Sequence, residues 1–138
     1  ELLFILGANI FGCLLVSLLT RLSPMELGEQ AQKILESRLE IGPLHAGLLA
    51  IGCGFIITTV VTFAREGKPL TLLFGVPLFI VCGFTHCVAD AFYYLCVPVA
   101  FWKANALHIL AVYACIVLGN LIGCNLYRIV LAKDQYPD

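Results

Sequence analysis

Apolar residues along this chain run in long blocks separated by short polar connections. No Asp, Glu, Lys or Arg occurs in residues 2–20, 43–64 or 104–127, and residues 69–102 hold only Asp90. Each block meets or exceeds the roughly 20 apolar residues that a helix rising about 1.5 Å per residue needs to cross a hydrocarbon core of about 30 Å. The pattern predicts four membrane-spanning helices, over about 2–20, 43–64, 69–102 and 104–131. Nothing alternates with period 2 as a barrel strand does. The fold class read from this pattern is an all-α integral membrane protein.

The connections carry their own signals. Arg21 closes the first block, and Ser23-Pro24-Met25-Glu26 then reads as an N-cap, a proline at the first helical position and a capping-box glutamate. A short helix over about 24–38 follows, with Leu27, Ala31, Ile34 and Leu35 on one face and the Glu29/Lys33 i,i+4 pair on the other. That amphipathic pattern predicts a helix lying along the membrane interface. Gly42-Pro43 ends it and opens the second block, whose polar close at Arg65-Glu66-Gly67-Lys68-Pro69 predicts a tight hairpin into the third.

The third block is too long for one straight helix, because 34 residues would rise about 51 Å. It contains Gly75, Pro77, Gly83 and Pro98, which predict an interrupted helix whose freed backbone groups face a cavity rather than lipid. Tyr93, Tyr94, Phe101 and Trp102 mark an aromatic belt at its far end. In the fourth block, Gly119 and Gly123 permit close helix approach. The stretch Leu118-Gly119-Asn120-Leu121-Ile122-Gly123-Cys124 repeats Leu6-Gly7-Ala8-Asn9-Ile10-Phe11-Gly12-Cys13 with one residue fewer. Three spans separate equivalent positions, an odd number, so a repeat of this kind is inverted.

Composition sharpens the class without changing it. The chain is 61% apolar and 12% charged with a net charge of −1, which provides no basic footprint for nucleic acid. All seven cysteines lie in the apolar blocks without Cys-x-x-Cys or metal-ligand spacing, so they read as small buried hydrophobes and no cofactor or metal is expected. Glu1 stands where a start methionine would, with no basic segment or cleavage site around the first block. The chain is therefore read as a fragment without a signal peptide.

Candidate chemistry concentrates at the proposed break, where Cys82-Gly83-Phe84-Thr85-His86-Cys87-Val88-Ala89-Asp90 places a histidine and an aspartate four residues apart in an apolar span. An aspartate at the centre of a membrane helix costs roughly 2.5–3.5 kcal/mol on insertion scales, so it must face protein or water and hold a partner. Two uses fit: helix-to-helix hydrogen bonding, or a conduction pathway.

The run from Cys82 through Asp90 to Ala91-Phe92-Tyr93 resembles the fifth-span signature of the formate/nitrite transporter family. Gly119-Asn120-Leu121-Ile122-Gly123 is similar to that family's sixth-span signature, and the segment from Leu6 to Gly12 falls in the position of its third span. The resemblance implies the third to sixth spans of a six-span, aquaporin-like inverted-repeat bundle. It further implies a homopentamer with one pore per protomer in a plasma membrane of prokaryotic type, and a channel rather than an enzyme. Residues 1–138 would be part of a single transmembrane channel domain. By the same resemblance His86 matches a central pore histidine, Phe79 a hydrophobic constriction beside it, and Asn120 the sixth-span asparagine. The implied partners are the lipid bilayer, a proton and a small monovalent anion such as formate, nitrite or hydrosulfide. At the midpoint of a dry pore, lost hydration disfavours imidazolium and a nearby anion favours it, so either an ion pair or protonation of the anion can follow.

Three positions depart from the family's better-known pattern. Thr85 stands where formate channels have a glutamate. Arg38 stands where many members have a lysine near the outer mouth, keeping the charge but not a releasable proton. Asp90 replaces an asparagine and is expected to orient His86 by hydrogen bonding. His45, His108, Lys33 and Trp102 read as interface or surface groups. Basic residues divide evenly between the two sides, so charge alone sets no orientation. Two functions of other classes compete: a haem-binding redox subunit, using histidines from two spans, and a non-transporting membrane scaffold.

Overall fold

Glycine and proline punctuate the chain where the apolar blocks leave off, and the helices follow that punctuation. The computed structural model describes residues 1–22 and 27–135. The described residues form the helices α1 (Leu2–Thr20), α2 (Leu27–Arg65), α3 (Leu70–Val81), α4 (Cys87–Cys96) and α5 (Val99–Gln135). There is no strand among the described residues, and the all-helical membrane bundle read from the sequence is the fold that forms. Among the described residues three helices are long and apolar enough to cross a membrane: Leu2–Thr20, Leu27–Arg65 and the Val99–Val130 portion of α5. The α3 and α4 helices are shorter, rising about 18 and 15 Å, so neither alone reaches across the core.

The helix expected before Gly42-Pro43 runs from Leu27 to a break at that pair, where the second part of α2 begins. Within α2 the backbone bends at Gly42, whose φ of 75° and ψ of 169° lie outside the helical region, with Pro43 starting the second part. Glycine supplies the positive φ, and proline excludes its predecessor from the helical basin. The apolar stripe of the first part is covered by protein: Ala31 and Leu35 are buried in a cluster with Tyr94, Cys96, Val97 and Ile109. The N-cap expected at Ser23 to Glu26 lies outside the described residues.

The hairpin from α2 to α3 closes as its sequence predicts. Gly67 adopts φ 84°, the Lys68 N–H donates to Phe63 O at 3.0 Å and the Gly67 N–H to Ala64 O at 3.2 Å. This is a Schellman closure that satisfies two terminal carbonyls of α2.

The end of the third block falls earlier than expected. The α4 helix stops at Cys96, Val97 is extended, and α5 begins at Val99. Pro98 cannot continue α4 and restricts the residue before it, while its carbonyl accepts the Phe101 and Trp102 N–H groups of the new helix. Phe101 and Trp102 therefore belong to the first turn of α5. The expected aromatic belt is in part an internal joint: Tyr94 is buried, and its carbonyl accepts the Trp102 indole N–H at 2.6 Å. The Tyr94 ring meets Trp102 and Tyr113 edge-on at 6.2 and 5.4 Å.

Packing of α2 against α5 sets the position of everything else. A Cβ added to Gly119 would strike Gly47 O and come within 2.7 Å of the Ala50 Cβ, and one on Gly123 would strike Ile51 O. One on Gly54 would lie 2.5 Å from Asn120 O. Ala46, Ala50, Val112 and Ile116 fill the seam and are fully buried. Small side chains let the two backbones touch, which in a bilayer is the principal source of helix association. The related motif in α1 is placed differently, with nothing within 4 Å of a Cβ on Gly7 or Gly12.

Candidate functional site

The five residues from Cys82 to His86 separate α3 from α4, and both new helix ends need partners for their backbone groups. Gly83, at φ 71°, ends α3. Its N–H donates to Ile80 O at 3.0 Å and the Phe84 N–H to Phe79 O at 3.1 Å, a second Schellman closure. The next three carbonyls point to side chains from elsewhere. Arg38 of α2 donates through Nη1 to Gly83 O at 2.9 Å and through Nη2 to Phe84 O at 3.4 Å. Asn120 of α5 donates through Nδ2 to Thr85 O at 3.3 Å.

At the start of α4 the roles reverse and backbone donors are met by side-chain acceptors. His86 is extended (φ −133°, ψ 123°) and caps the helix, its Nδ1 accepting from the Val88 and Ala89 N–H groups at 3.2 and 3.3 Å. Asp90 Oδ2 accepts from the His86 N–H at 2.7 Å, and Asn120 Oδ1 from the Cys87 N–H at 2.8 Å. The exchange between His86 and Asp90 follows the logic of a capping box with histidine as the cap. These backbone groups, expected to face a cavity, are instead held by side chains of the bundle, which removes the cost of unpaired polar groups in an apolar span.

The capping geometry fixes the imidazole. A nitrogen that accepts two N–H groups carries no proton, so the ring proton of the neutral form sits on Nε2 and is free to donate elsewhere. The Phe79 ring lies 5.7 Å from the imidazole, tilted by 30°, and is itself buried. Those two candidates come together as an apolar plate beside a single N–H donor.

The other candidates surround this pair and act on its backbone. Arg38 Nε pairs with Asp90 Oδ1 at 3.3 Å, with side-chain exposures of 15% and 3%. Arg38 therefore serves the break, its charge paired with Asp90 and two of its donors on backbone carbonyls, at the position where the resemblance implies a charge near the outer mouth. Asp90 does reach His86, through the backbone N–H rather than the ring. Asn120 uses its second amide hydrogen on Ala50 O at 2.8 Å, tying break, α2 and α5 together at one side chain. Thr85 is fully buried and donates to Ala46 O at 2.6 Å, so its hydroxyl is turned into the packing between helices.

One contributor was not singled out from the sequence. Tyr113 of α5 donates its hydroxyl to Cys87 O at 3.0 Å, fastening the first turn of α4. Its signal was available, because a tyrosine within an apolar span needs a partner for its O–H. Among the described residues, no group of three or more His, Cys, Asp or Glu side chains is placed to hold a metal ion.

The family model described as formate/nitrite transporter matches residues 1–132 of the 138-residue chain. The chain belongs to the formate/nitrite transporter family. No curated protein and no solved structure matches it. Membership in the formate/nitrite transporter family makes this chain a component of a membrane anion transporter, and the apolar helices are those of a multi-pass membrane protein. The match includes the whole of α1 to α4 and most of α5, and thus the break with its capping side chains, Arg38 and Asn120 among them.

Proposed function

We propose that the protein conducts small monovalent anions of the formate, nitrite or hydrosulfide type past the break between α3 and α4, with His86 as the proton or charge partner of the permeating weak acid. The observation that carries this reading is the fixed imidazole: Nδ1 is occupied by two backbone N–H groups, and the remaining ring nitrogen is available beside Phe79. In the neutral ring the Nε2–H is a lone donor beside an apolar plate and hydrogen-bonds a small anion while denying it a full hydration shell; passing a proton to the anion requires the imidazolium, whose second proton takes Nδ1 from the Val88 and Ala89 N–H groups.

Phe79 forms the constriction in this account. Asp90, Asn120, Arg38 and Thr85 hold the backbone on which His86 is mounted, so they act on the pathway by position. The chain is part of one channel domain that crosses the bilayer four times. It assembles as a pentamer of inverted-repeat protomers in the plasma membrane, and it performs transport rather than catalysis. The family match and the capped break support this reading together.

The test is uptake of formate, nitrite and hydrosulfide into liposomes containing the full-length protein, against empty liposomes. Saturable uptake of at least one of the three is the expected result. Background uptake of all three, from protein that is folded by size-exclusion chromatography, would overturn it.

A further inference from the structure

The only charges at the break are a pair that sums to zero among the described residues. Arg38 and Asp90 are both largely withdrawn from solvent and joined at 3.3 Å. The other guanidinium contacts are to the uncharged peptide oxygens of Gly83 and Phe84. The other titratable groups near Asp90 are Cys53 of α2, Cys87 and Tyr94 of α4 and Tyr113 of α5, thiols and phenols that ordinarily carry no charge near neutrality. His86, the remaining titratable neighbour, holds its Nδ1 as an acceptor.

Asp90 performs two tasks that an asparagine would divide. Its Oδ2 accepts the His86 N–H at 2.7 Å, which an amide oxygen can do as well. Its negative charge opposes an arginine that stays protonated at every working pH, which an amide cannot do. The hydrogen bond therefore does not explain why a carboxylate stands here, whereas the charge does.

We infer that Asp90 is a specificity-determining residue: by cancelling Arg38 it keeps a fixed positive charge away from the His86 and Phe79 constriction. Anions of strong acids, such as chloride and nitrate, are then held back relative to weak-acid anions. A fixed cation in a low-dielectric wall lowers the barrier for any anion, while a neutral wall leaves the advantage to species that can shed charge by taking a proton. This inference rests on the transport reading above and names the selectivity of the same site.

The experiment compares chloride and formate flux through the full-length protein in liposomes, for wild type, Asp90→Asn and the double variant Arg38→Gln/Asp90→Asn. Each is first shown to be folded by size-exclusion chromatography. The chloride-to-formate ratio is expected to rise about tenfold or more in Asp90→Asn and to return to within about twofold of wild type in the double variant, which again carries no net charge at the break. If Asp90→Asn does not fold, Arg38→Lys/Asp90→Asn places the same single positive charge there and is expected to raise the ratio likewise. An unchanged ratio in the positively charged variant, or one that stays high in the neutral double variant, overturns the inference and leaves formate transport standing. Absence of formate flux in wild type overturns both.

Discussion

Gly119→Val is expected to prevent normal assembly of the bundle, lowering stability by roughly 3 kcal/mol or more and the apparent melting temperature in detergent by roughly 10 °C. The new Cβ would strike Gly47 O and crowd the Ala50 Cβ, and neither obstacle is the far end of a flexible side chain. The helices can accommodate it only by moving apart. Separation has a second consequence, because Asn120 lies next along α5 and holds Ala50 O, Thr85 O and the Cys87 N–H together. Buried groups left without partners cost about 1–3 kcal/mol each. Ile129→Ala, on an exposed position of the same helix, is expected to change the melting temperature far less. Thermal unfolding of both variants in detergent checks the comparison, and a Gly119→Val protein as stable as wild type would remove the α2–α5 seam from the account.

Arg38→Ala is the second substitution with a large expected effect, about 3–5 kcal/mol of destabilisation. It leaves the Asp90 carboxylate buried without its counter-charge and removes the donors from Gly83 O and Phe84 O. Lysine can restore the charge but not the planar fork that serves a carboxylate and two carbonyls, so Arg38→Lys is expected to fall between Ala and wild type. Adding Asp90→Asn to Arg38→Ala should recover part of the loss, because it removes the stranded charge while retaining an acceptor for the His86 N–H. Chemical denaturation of wild type and the three variants checks this order, and equal stability of Arg38→Ala and wild type would contradict the role given to the pair.

The parts of this structure that the sequence made legible are those governed by local chemistry. Gly83 closing α3, Gly67 closing α2 and the bend at Gly42-Pro43 are each determined by what glycine or proline does to its own backbone and that of its neighbours. The blocks of uncharged residues announced the helices for the same reason, since hydropathy is additive along the chain. His86 and Asp90 were conspicuous because polar groups in an apolar span demand partners.

What was not legible depends on contacts between residues far apart in sequence. Arg38 reaches the break across more than forty residues, and no periodicity encodes that reach. Position alone suggested a charge at a mouth, and only packing shows it bound to Asp90. Thr85 and His86 are adjacent in sequence, yet the extended backbone turns the first into the packing and leaves the second as a cap. Pro98 was read as one more interruption, although the proline that ends one helix also opened the next, carrying Phe101 and Trp102 into α5. The stripe of Ala31 and Leu35 signalled a buried face, but not that Tyr94, Cys96, Val97 and Ile109 cover it, because an amphipathic pattern does not name its neighbour.

In the proposed transport His86 serves the permeating anion with its ring and the fold with its capping nitrogen, and one substitution separates those tasks. Asparagine is among the best N-cap residues, so His86→Asn retains an acceptor for the Val88 and Ala89 N–H groups while removing the imidazole. The measurement is formate exchange in proteoliposomes at equal pH on both sides, followed from about pH 5 to 8, the range in which a histidine gains its second ring proton, which here displaces the Val88 and Ala89 N–H groups from Nδ1. A wild-type rate that varies across this range and a His86→Asn rate that is lower and flat, in protein of unchanged folding, is the predicted result. A His86→Asn protein that matches wild type in both rate and pH profile would contradict the account.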